Sequence, residues 1–233
     1  MSIATLHPSH MLSIIIPALN EAACLPGLLE QLAPLRARGA EVIVVDGGST
    51  DDTLELATRA GIRAIRSERG RARQMNAGAA LAHGDVLLFL HADSSLPSNA
   101  DELVATALSR DDRVWGRFDV RIEGRALMLP VVAWLMNRRS RLSGIATGDQ
   151  AMFMARSAFD SVGGFPDQPL MEDIEISGRL LGLSRPVCLS DRVITSGRRW
   201  EARGVWRTIF LMWRLRWAYW RGAPASELAG KYR

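Results

Sequence analysis

Acidic residues stand at the ends of two apolar segments in this sequence. Val42–Val45 leads into Asp46 and two glycines, and Val86–Leu90 leads into His91 and Asp93. Apolar segments without alternation are typical of parallel strands buried on both faces, and open α/β sheets bind ligands at the carboxyl ends of such strands. Because an unpartnered acid is costly to bury, the two acids predict a site for a nucleotide and a cation.

The loop after Asp46 has the composition of a ligand-binding turn. Gly47 and Gly48 allow the backbone to turn sharply and to approach a ligand, and Asp46 can accept hydrogen bonds from a base or a ribose. Residues 49–52 also fit a capped helix start, with Ser49 or Thr50 as the N-cap. Capping does not explain an acid at position 46, so both interpretations can hold together.

Two further segments could contact a nucleotide. Residues 17–21 follow the first apolar strand and could lie against a planar base, although an ordinary turn with Asn20 capping the next helix fits equally well. Arg71 and Arg73 stand where a helix begins, and helix N-termini favour anions such as a diphosphate. A solvated basic turn is the alternative. Asn76 and Gly78 are poor helix formers, which indicates a packing or contact requirement in that helix.

His91 and Asp93 are two residues apart, so on an extended chain both would point at one cation. Mg²⁺ needs only one or two carboxylates in addition to substrate phosphates, so Asp93 alone could suffice. For His91 a hydrogen-bonded position near the sheet edge is the alternative.

Acids also precede elements in the second half of the chain. Asp149 and Gln150 precede a strand, and Glu172 and Asp173 precede a helix predicted to begin at Ile174. Acids at a helix start compensate the dipole, or one of them is a general base within reach of a hydroxyl. The residues alone leave these alternatives open.

The elements that would position these residues alternate between strand and helix up to residue 108. We predict strands over 12–16, 41–45, 62–66 and 85–90, and helices over 25–38, 50–60, 72–82 and 99–108. This order is typical of a doubly wound, mostly parallel α/β sheet with right-handed crossovers.

The later pattern is less regular. Residues 114–122 alternate and predict a strand exposed on one face, followed by a helix over 127–141, a strand over 151–155, a helix over 174–183 and a short strand over 187–189. We expect these elements to extend the first sheet. The prediction is one domain over 11–200, a loose leader over 1–10, and a basic, tryptophan-rich helix and tail over 201–233.

Composition sets the protein class. With 233 residues and 48% hydrophobic residues the chain can bury a full core, and we find no apolar segment of membrane-spanning length and no signal peptide. Two cysteines without metal-ligand spacing fit a reducing compartment, so the expected location is the cytoplasm. Basic and acidic residues are interleaved through residue 200, which argues against a nucleic-acid partner.

Taken in order, these motifs resemble glycosyltransferase family 2, the inverting enzymes of GT-A fold that use nucleotide-activated sugars. The matching segments are 14–21, 44–53, 70–78, 91–93 and 172–173. The short length and the Leu-His-Ala-Asp, Gly-Asp-Gln and Met-Glu-Asp motifs are similar to a compact bacterial subgroup labelled arsenosugar-biosynthesis or carotenoid-acid glycosyltransferase.

The resemblance implies a role for each candidate residue. Asp173 would be the catalytic base with Glu172 beside it, and Asp149 and Gln150 would contact the donor sugar and the acceptor. Asp93 would hold Mg²⁺ or Mn²⁺, with His91 where the family has its first acid. Asp46 would bind the base, often uracil, within a nucleotide-binding set comprising Pro17, Ala18, Asn20, Glu21, Asp46, Gly47, Arg71, Arg73 and Asn76.

The activity so implied is metal-assisted, inverting transfer of a sugar from a UDP-sugar to an acceptor hydroxyl or carboxyl group. A nucleotidyltransferase is the alternative, but such enzymes usually carry a lysine in a glycine-rich loop after the first strand, and Lys231 is the only lysine here. A non-catalytic nucleotide-binding module associated with a membrane is a third possibility, disfavoured by the joint presence of Asp46, Asp93 and Asp173.

The C-terminal segment carries a separate pattern. Aromatic residues recur at steps of four, three, four and three along one helical face, with arginines at steps of seven beside them. The segment over residues 203–221 predicts either a helix packed on the domain or in a homodimer interface, or a helix that contacts a membrane surface and favours a lipid-like acceptor. The pattern does not distinguish these.

Overall fold

A computed structural model describes residues 11–109 and 112–232 of this chain. The loose leader predicted for residues 1–10 lies outside these ranges. Eight strands form one sheet: β1 (Leu12–Ala18), β2 (Glu41–Asp46), β3 (Arg63–Arg66), β4 (Val86–Phe89), β5 (Ser94–Ser95), β6 (Trp115–Glu123), β7 (Phe153–Ala155) and β8 (Val187–Ser196).

Helices accompany the strands on both faces of the sheet. They are α1 (Leu25–Ala37), α2 (Thr53–Arg59), α3 (Arg71–Leu81), α4 (Ala100–Leu108), α5 (Leu129–Ser143), α6 (Arg156–Ser161), α7 (Glu172–Leu181), α8 (Arg198–Arg203), α9 (Val205–Trp220) and α10 (Ala225–Tyr232), with one 3₁₀ turn at Gly148–Gln150.

The sheet order is β3-β2-β1-β4-β7-β6-β8-β5. The four strands from β3 to β4 are parallel, β7 is antiparallel to both of its neighbours, and β6 and β8 are again parallel. This confirms the predicted single α/β fold with a mostly parallel sheet, and it confirms that the second half extends the first sheet.

Strand β1 shows why the sheet is covered on both faces. Ile14, Ile15 and Ile16 are fully buried. Ile14 and Ile16 pack into the core layer that includes α1, whereas Ile15 packs into the opposite layer with α3. Successive side chains of a strand point to opposite faces, so a continuous apolar segment is what a doubly covered strand requires.

The prediction that the strand over 114–122 is exposed on one face was wrong for its first half. Arg117 is fully buried, because α5 covers that face and satisfies its guanidinium. Its Nε donates to Ser140 Oγ at 3.1 Å, its Nη2 to the Asn137 carbonyl at 3.1 Å, and its Nη1 to Asp119. A polar position in an alternating pattern therefore marks a buried ion pair here, not a solvated face.

Two boundaries also differ from prediction for local physical reasons. Strand β8 continues past Leu189 to Ser196, because a bulge at residues 190–191 absorbs the polar residues that end the apolar segment. Helix α2 begins at Thr53, and the carboxylate of Asp51 accepts from the Thr53 N–H at 3.1 Å, so neither Ser49 nor Thr50 is its N-cap. The short helices α6, α8 and α10 were not predicted.

Gly78 confirms that α3 carries a packing requirement. A Cβ at this position would lie 2.5 Å from Ile15 Cγ2 and 3.0 Å from Val45 Cγ2. We expect Gly78→Ala to lower the free energy of unfolding by about 1–3 kcal/mol through overpacking, measured by urea denaturation.

A matched control for this substitution exists in another helix. Gly178 lies inside α7 with no atom within 4 Å of a built Cβ. Gly178→Ala is expected to raise the free energy of unfolding by up to about 1 kcal/mol from helix propensity alone. Equal effects of the two substitutions would show that α3 does not depend on close contact with β1.

Candidate active site

The loops after β1 and β2 are joined at the carboxyl edge of the sheet. The Asn20 N–H donates to Ser49 Oγ at 2.8 Å, and Asn20 Oδ1 accepts from the Thr50 N–H at 2.8 Å. The Glu21 N–H donates to Thr53 Oγ1 at 2.9 Å. Asn20 thus links two loops and does not cap α1, which has no side-chain cap.

Asp46 is fully buried and organises its own loop. Its carboxylate accepts from the Gly48 N–H at 3.2 Å and from the Ser49 N–H at 3.1 Å, and Arg66 Nε lies 3.9 Å away. The acid at position 46 is therefore explained by loop closure in this structure. Its assignment to a base stays a prediction, and binding would require the carboxylate to exchange these backbone partners.

Gln74 is a residue that the sequence analysis missed. Its buried Nε2 donates to the carbonyls of Ala18 and Val45, both at 2.8 Å, and so bridges the ends of β1 and β2. A Cβ on Gly47 would lie 2.9 Å from Gln74 Cδ, which explains why glycine stands there. Pro17 and Ala18, predicted in a loop, belong to β1 and pair with Val45 and Asp46.

Asp93 lies in a group of charges beyond β4. Arg198 Nη2 is 3.5 Å from Glu21 Oε2 and 3.8 Å from Asp93 Oδ2. Burial raises the pKa of Glu21, and the charge of Asp93 acts in the same direction, although Arg198 opposes both. The Ser196 N–H donates to the Asp93 carbonyl at 3.2 Å, so the end of β8 brings α8 to this acid.

His91 does not share a face with Asp93, because β4 ends at Phe89 and residues 92–93 form a turn. Its Nδ1 lies 3.1 Å from Asp149 Oδ1, and a Cβ on Gly148 would lie 2.5 Å from its Nε2. The two residues are therefore not on one extended strand, and their joint binding of a cation stays a prediction. His91 instead orients the 3₁₀ turn, in agreement with the hydrogen-bonded alternative.

Asp149 and Gln150, adjacent in this turn, have different surroundings. Burial opposes the ionisation of Asp149, but the hydrogen bond and charge of His91, with the charges of Arg71 and Arg199, hold its pKa below the usual range. Its side chain remains 43% exposed. Gln150 is fully buried and contacts Thr147 and Asn137, which favours a structural role over contact with a sugar.

Asp173 has a strongly perturbed ionisation at this edge of the sheet. Burial and the charge of Glu172 raise the pKa of Asp173 to about 6, although N–H donors and Arg71 act in the opposite direction. Its carboxylate accepts from the Gly148 N–H at 3.0 Å and from the Ile174 N–H at 2.8 Å. A fixed carboxylate with a pKa near neutrality suits a general base.

The residues of α3 divide into two groups. Arg71 faces the acids, with Nη1 3.7 Å from Glu172 Oε1, and lines a small cavity that also contains His91, Gly148 and Asp173. Arg73 pairs instead with Glu68 and Asp167.

Asn76 exchanges two hydrogen bonds with the backbone of Phe165, at 2.8 and 2.9 Å. For Asn76 this geometry favours a structural role over nucleotide binding.

Two arginines near these acids were not singled out from the sequence. The pKa of Arg199 is lowered by burial and by the charges of Arg71 and Arg203, whereas Asp149 and Asp93 oppose the shift, so Arg199 lies among the acids of the site. Tyr232 of α10 receives a hydrogen bond from Arg199, whose guanidinium lies 5.1 Å from the tyrosine ring. The basic composition after residue 192 was the only available signal.

Arg139 of α5 is the second arginine that the sequence analysis missed. Its Nε and Nη2 are buried without a hydrogen-bond partner. Burial lowers the pKa of Arg139, and the charge of Asp173 opposes that shift. A guanidinium with two nitrogens that lack hydrogen-bond partners therefore lies near the candidate base.

Backbone strain is concentrated in the same loops. Among residues 11–109 and 112–232 the non-glycine residues with positive φ are Asn20, Ala151 and Met171. They stand beside Glu21, Gln150 and Glu172 respectively. Strained non-glycine conformations cluster at functional sites, which supports this edge of the sheet as the active site.

The donor set around Asp93 fits a divalent cation shared with a substrate. Within the described ranges no three His, Cys, Asp or Glu side chains gather to enclose a metal. Asp93 nevertheless offers a partly exposed carboxylate beside Glu21, with a side chain 29% exposed. Mg²⁺ and Mn²⁺ prefer oxygen ligands, and Mg²⁺ commonly takes one or two carboxylates together with phosphates.

Comparison with known sequences identifies a family. The sequence profile described as Glycosyl transferase family 2 matches residues 13–162. A "PGL/p-HBAD biosynthesis glycosyltransferase" of Mycobacterium bovis is 45% identical over 104 residues, covering 42% of this chain and 40% of the relative. A "Beta-monoglucosyldiacylglycerol synthase" of Nostoc sp. is 25% identical over 224 residues, covering 83% of this chain and 47% of the relative. The matches thus span less than half of each relative.

Solved structures share the fold. S. aureus TarS 1-349 in complex with UDP-GlcNAc superposes with a TM-score of 0.66 at 20% identity, covering 80% of this chain and 58% of that one. A mannosyltransferase from Pyrobaculum calidifontis in complex with GDP-Man and Mn²⁺ superposes with a TM-score of 0.65 at 22% identity, covering 90% of this chain and 61% of that one. At these identities the likeness establishes the GT-A fold alone.

Proposed function

The chain belongs to glycosyltransferase family 2, and we propose that it transfers a sugar from a UDP-sugar to an acceptor hydroxyl or carboxyl group with inversion at the anomeric carbon. The observation that carries this proposal is the Asp173 carboxylate, whose pKa is about 6 and whose oxygens are held by two backbone N–H groups. Such a group is ionised at neutral pH and can accept the proton of an acceptor.

The donor would lie across the ends of β1, β2 and β4. The joined loops at Asn20 and Asp46 would contact the base of the nucleotide. Arg71 and Arg199 would provide positive charge for its diphosphate. When bound, a divalent cation would be held by Asp93 together with the diphosphate oxygens and would neutralise part of their charge. The related structures that hold UDP-GlcNAc or GDP-Man with Mn²⁺ support this donor class.

The reaction is a single displacement. The acceptor oxygen forms a bond to the anomeric carbon as the bond from that carbon to the diphosphate oxygen breaks. The electron pair of the broken bond leaves with the nucleoside diphosphate, and the proton of a hydroxyl acceptor passes to the Asp173 carboxylate. A carboxyl acceptor is already ionised at neutral pH and transfers no proton. Arg71, 3.7 Å from Glu172, would stabilise the charge that develops on the leaving group.

A thermal-shift screen followed by a turnover assay tests the donor proposal. UDP with Mn²⁺ is expected to raise the melting temperature of the wild-type protein more than GDP, ADP or CDP does, since ligands that bind the folded state stabilise it. The nucleotide sugars of the preferred base are then assayed for release of the nucleoside diphosphate. A larger shift with GDP would reject the UDP assignment, and absence of release from every donor would reject the transferase.

A further inference from the structure

Helix α9 has a packed inner face. Leu215 and Thr208 are buried, and Leu215 packs in a cluster with Met171 of the loop before α7 and Leu228 of α10. Tyr219 Oη also donates to Glu175 Oε2 of α7 at 3.0 Å. The helix is therefore anchored to the protein by residues other than its aromatic stripe.

The opposite side of α9, which we call the outer aromatic face, is exposed. It consists of Trp206, Phe210, Trp213, Trp217 and Trp220, whose exposed fractions are 60%, 59%, 63%, 59% and 82%. The predicted packing of this helix on its own domain is confirmed, but the contact is made by the inner face and leaves the aromatic stripe exposed. Contiguous exposed aromatic surface of this kind marks an interaction site.

Positive charge borders the outer aromatic face on both sides. At 100° per residue, Arg207, Arg214 and Arg221 lie along one flank and Arg216 along the other, and α9 contains no acidic residue. Arg221 stacks over the Trp217 ring at 4.8 Å. Indole rings flanked by arginines are typical of helices that lie in the interface of an anionic bilayer.

We infer that the outer aromatic face of α9 docks onto an anionic membrane surface, with the helix lying parallel to that surface. A spanning arrangement is not available, since none of the helices in the described part of the chain combines the length and apolarity needed to cross a bilayer. In a twofold dimer formed through this face, the arginines of one copy would lie against those of the other, and α9 has no acidic residue to compensate them. Like charges in contact oppose such an interface.

This docking would bring the candidate base close to the membrane. The inner face of α9 packs on Met171, which directly precedes Glu172 and Asp173. An acceptor carried on a lipid would then reach Asp173 from the membrane side. This second step rests on the proposed function, so the acceptor class is a hydroxyl or carboxyl group borne by a membrane lipid.

Vesicle co-sedimentation of the full chain tests the docking without donor or turnover. Wild-type protein is expected to pellet with vesicles containing phosphatidylglycerol and to bind pure phosphatidylcholine vesicles at least about tenfold more weakly, since lipid charge adds about 1 kcal/mol per arginine near the surface. The double substitution W213S/W217S is expected to weaken binding to the anionic vesicles at least about tenfold, since two indoles leave the interface.

The matched control is Trp134→Ser on α5, which removes another exposed tryptophan, 58% accessible, from outside α9. Because all three side chains are exposed, circular dichroism and melting temperature should remain those of the wild type. An equal loss in the control, or unchanged binding in W213S/W217S, would overturn the assignment to α9. If the wild type does not bind vesicles but sediments as a dimer, and W213S/W217S sediments as a monomer, the outer aromatic face is an interface with a second copy and the membrane proposal is overturned.

Vesicle binding and the turnover assay together separate the two proposals. Vesicle binding by a chain that releases no nucleoside diphosphate would retain the membrane surface and reject the transferase. Transfer to a lipid-free acceptor by a chain that does not bind vesicles would retain the transferase and reject the membrane surface.

Discussion

Replacing Asp173 with asparagine is expected to reduce sugar transfer by about 10²–10⁴-fold, the usual contribution of a general base. The amide keeps the size of the side chain but cannot accept the acceptor proton. The hydrogen bonds from Gly148 and Ile174 can still be accepted by the amide oxygen, so the fold should persist. Transfer is measured with a labelled donor, and nucleotide binding by titration calorimetry should remain measurable.

Glu175→Gln is the matched control for this substitution. Glu175 lies on the same helix as Asp173 and pairs with Arg179 and Tyr219, away from the cavity that contains Arg71. It is expected to retain wild-type transfer. Equal loss in both variants would show that the effect comes from α7 as a whole, and full transfer by Asp173→Asn would remove Asp173 from the catalytic role.

The pH dependence of transfer gives a second readout of the same residue. Burial and Glu172 raise the pKa of Asp173 to about 6, above the usual value of an aspartate. The carboxylate is protonated below that pH and cannot act as a base, so kcat should fall as the pH decreases through about 6 and level off above it. A fall in kcat centred near pH 4 would indicate a base in an unperturbed environment.

Replacing Asp93 with asparagine is expected to weaken Mn²⁺-dependent nucleotide binding by at least about tenfold. The free energy of a polar contact is more favourable for a charged group than for a neutral one by about 1.4 kcal/mol, which corresponds to a tenfold change in affinity. Asp93 is the partly exposed carboxylate that Arg198 links to Glu21, and we propose that it shares a cation with a diphosphate. Calorimetric titration of UDP with and without Mn²⁺ measures the effect.

Asp191→Asn provides the control, since it removes the same charge from the exposed bulge of β8. Its titration curves should match the wild type. If Asp93→Asn binds the nucleotide equally well with and without Mn²⁺, and as tightly as the wild type does with Mn²⁺, Asp93 has no part in the site.

The first half of the fold was predictable because its strands are buried on both faces. Residues 14–16 and 42–45 are continuously apolar, and the bounds of β1 and β2 differ from prediction by one or two residues. Periodicity and composition are enough to predict a strand when both of its faces are buried. The acids at the end of β2 and after β4 were also identifiable, because an acid that ends or follows a buried strand needs partners, as Asp46 finds in the N–H groups of its own loop.

The second half was harder because its polar residues are buried in pairs. Arg117 and Asp119 looked solvated in an alternating pattern, yet α5 covers them. Arg199 could not be placed, because its electrostatic contacts with Asp149 and Asp93 join α8 to loops that are distant in the sequence. The sequence left two alternatives for His91, because the turn after Phe89, which brings its ring to Asp149, is not visible in the residue pattern.

A crystal structure of the full chain with Mn²⁺ and the nucleotide that gives the largest thermal shift tests the central claim most directly. The claim is that one donor spans the carboxyl edge of the sheet, from the loops of β1 and β2 to Asp173. We predict the diphosphate between Asp93 and Arg71, with the cation on the Asp93 carboxylate. A nucleotide bound elsewhere, or a diphosphate that contacts neither Asp93 nor Arg71, would contradict the account.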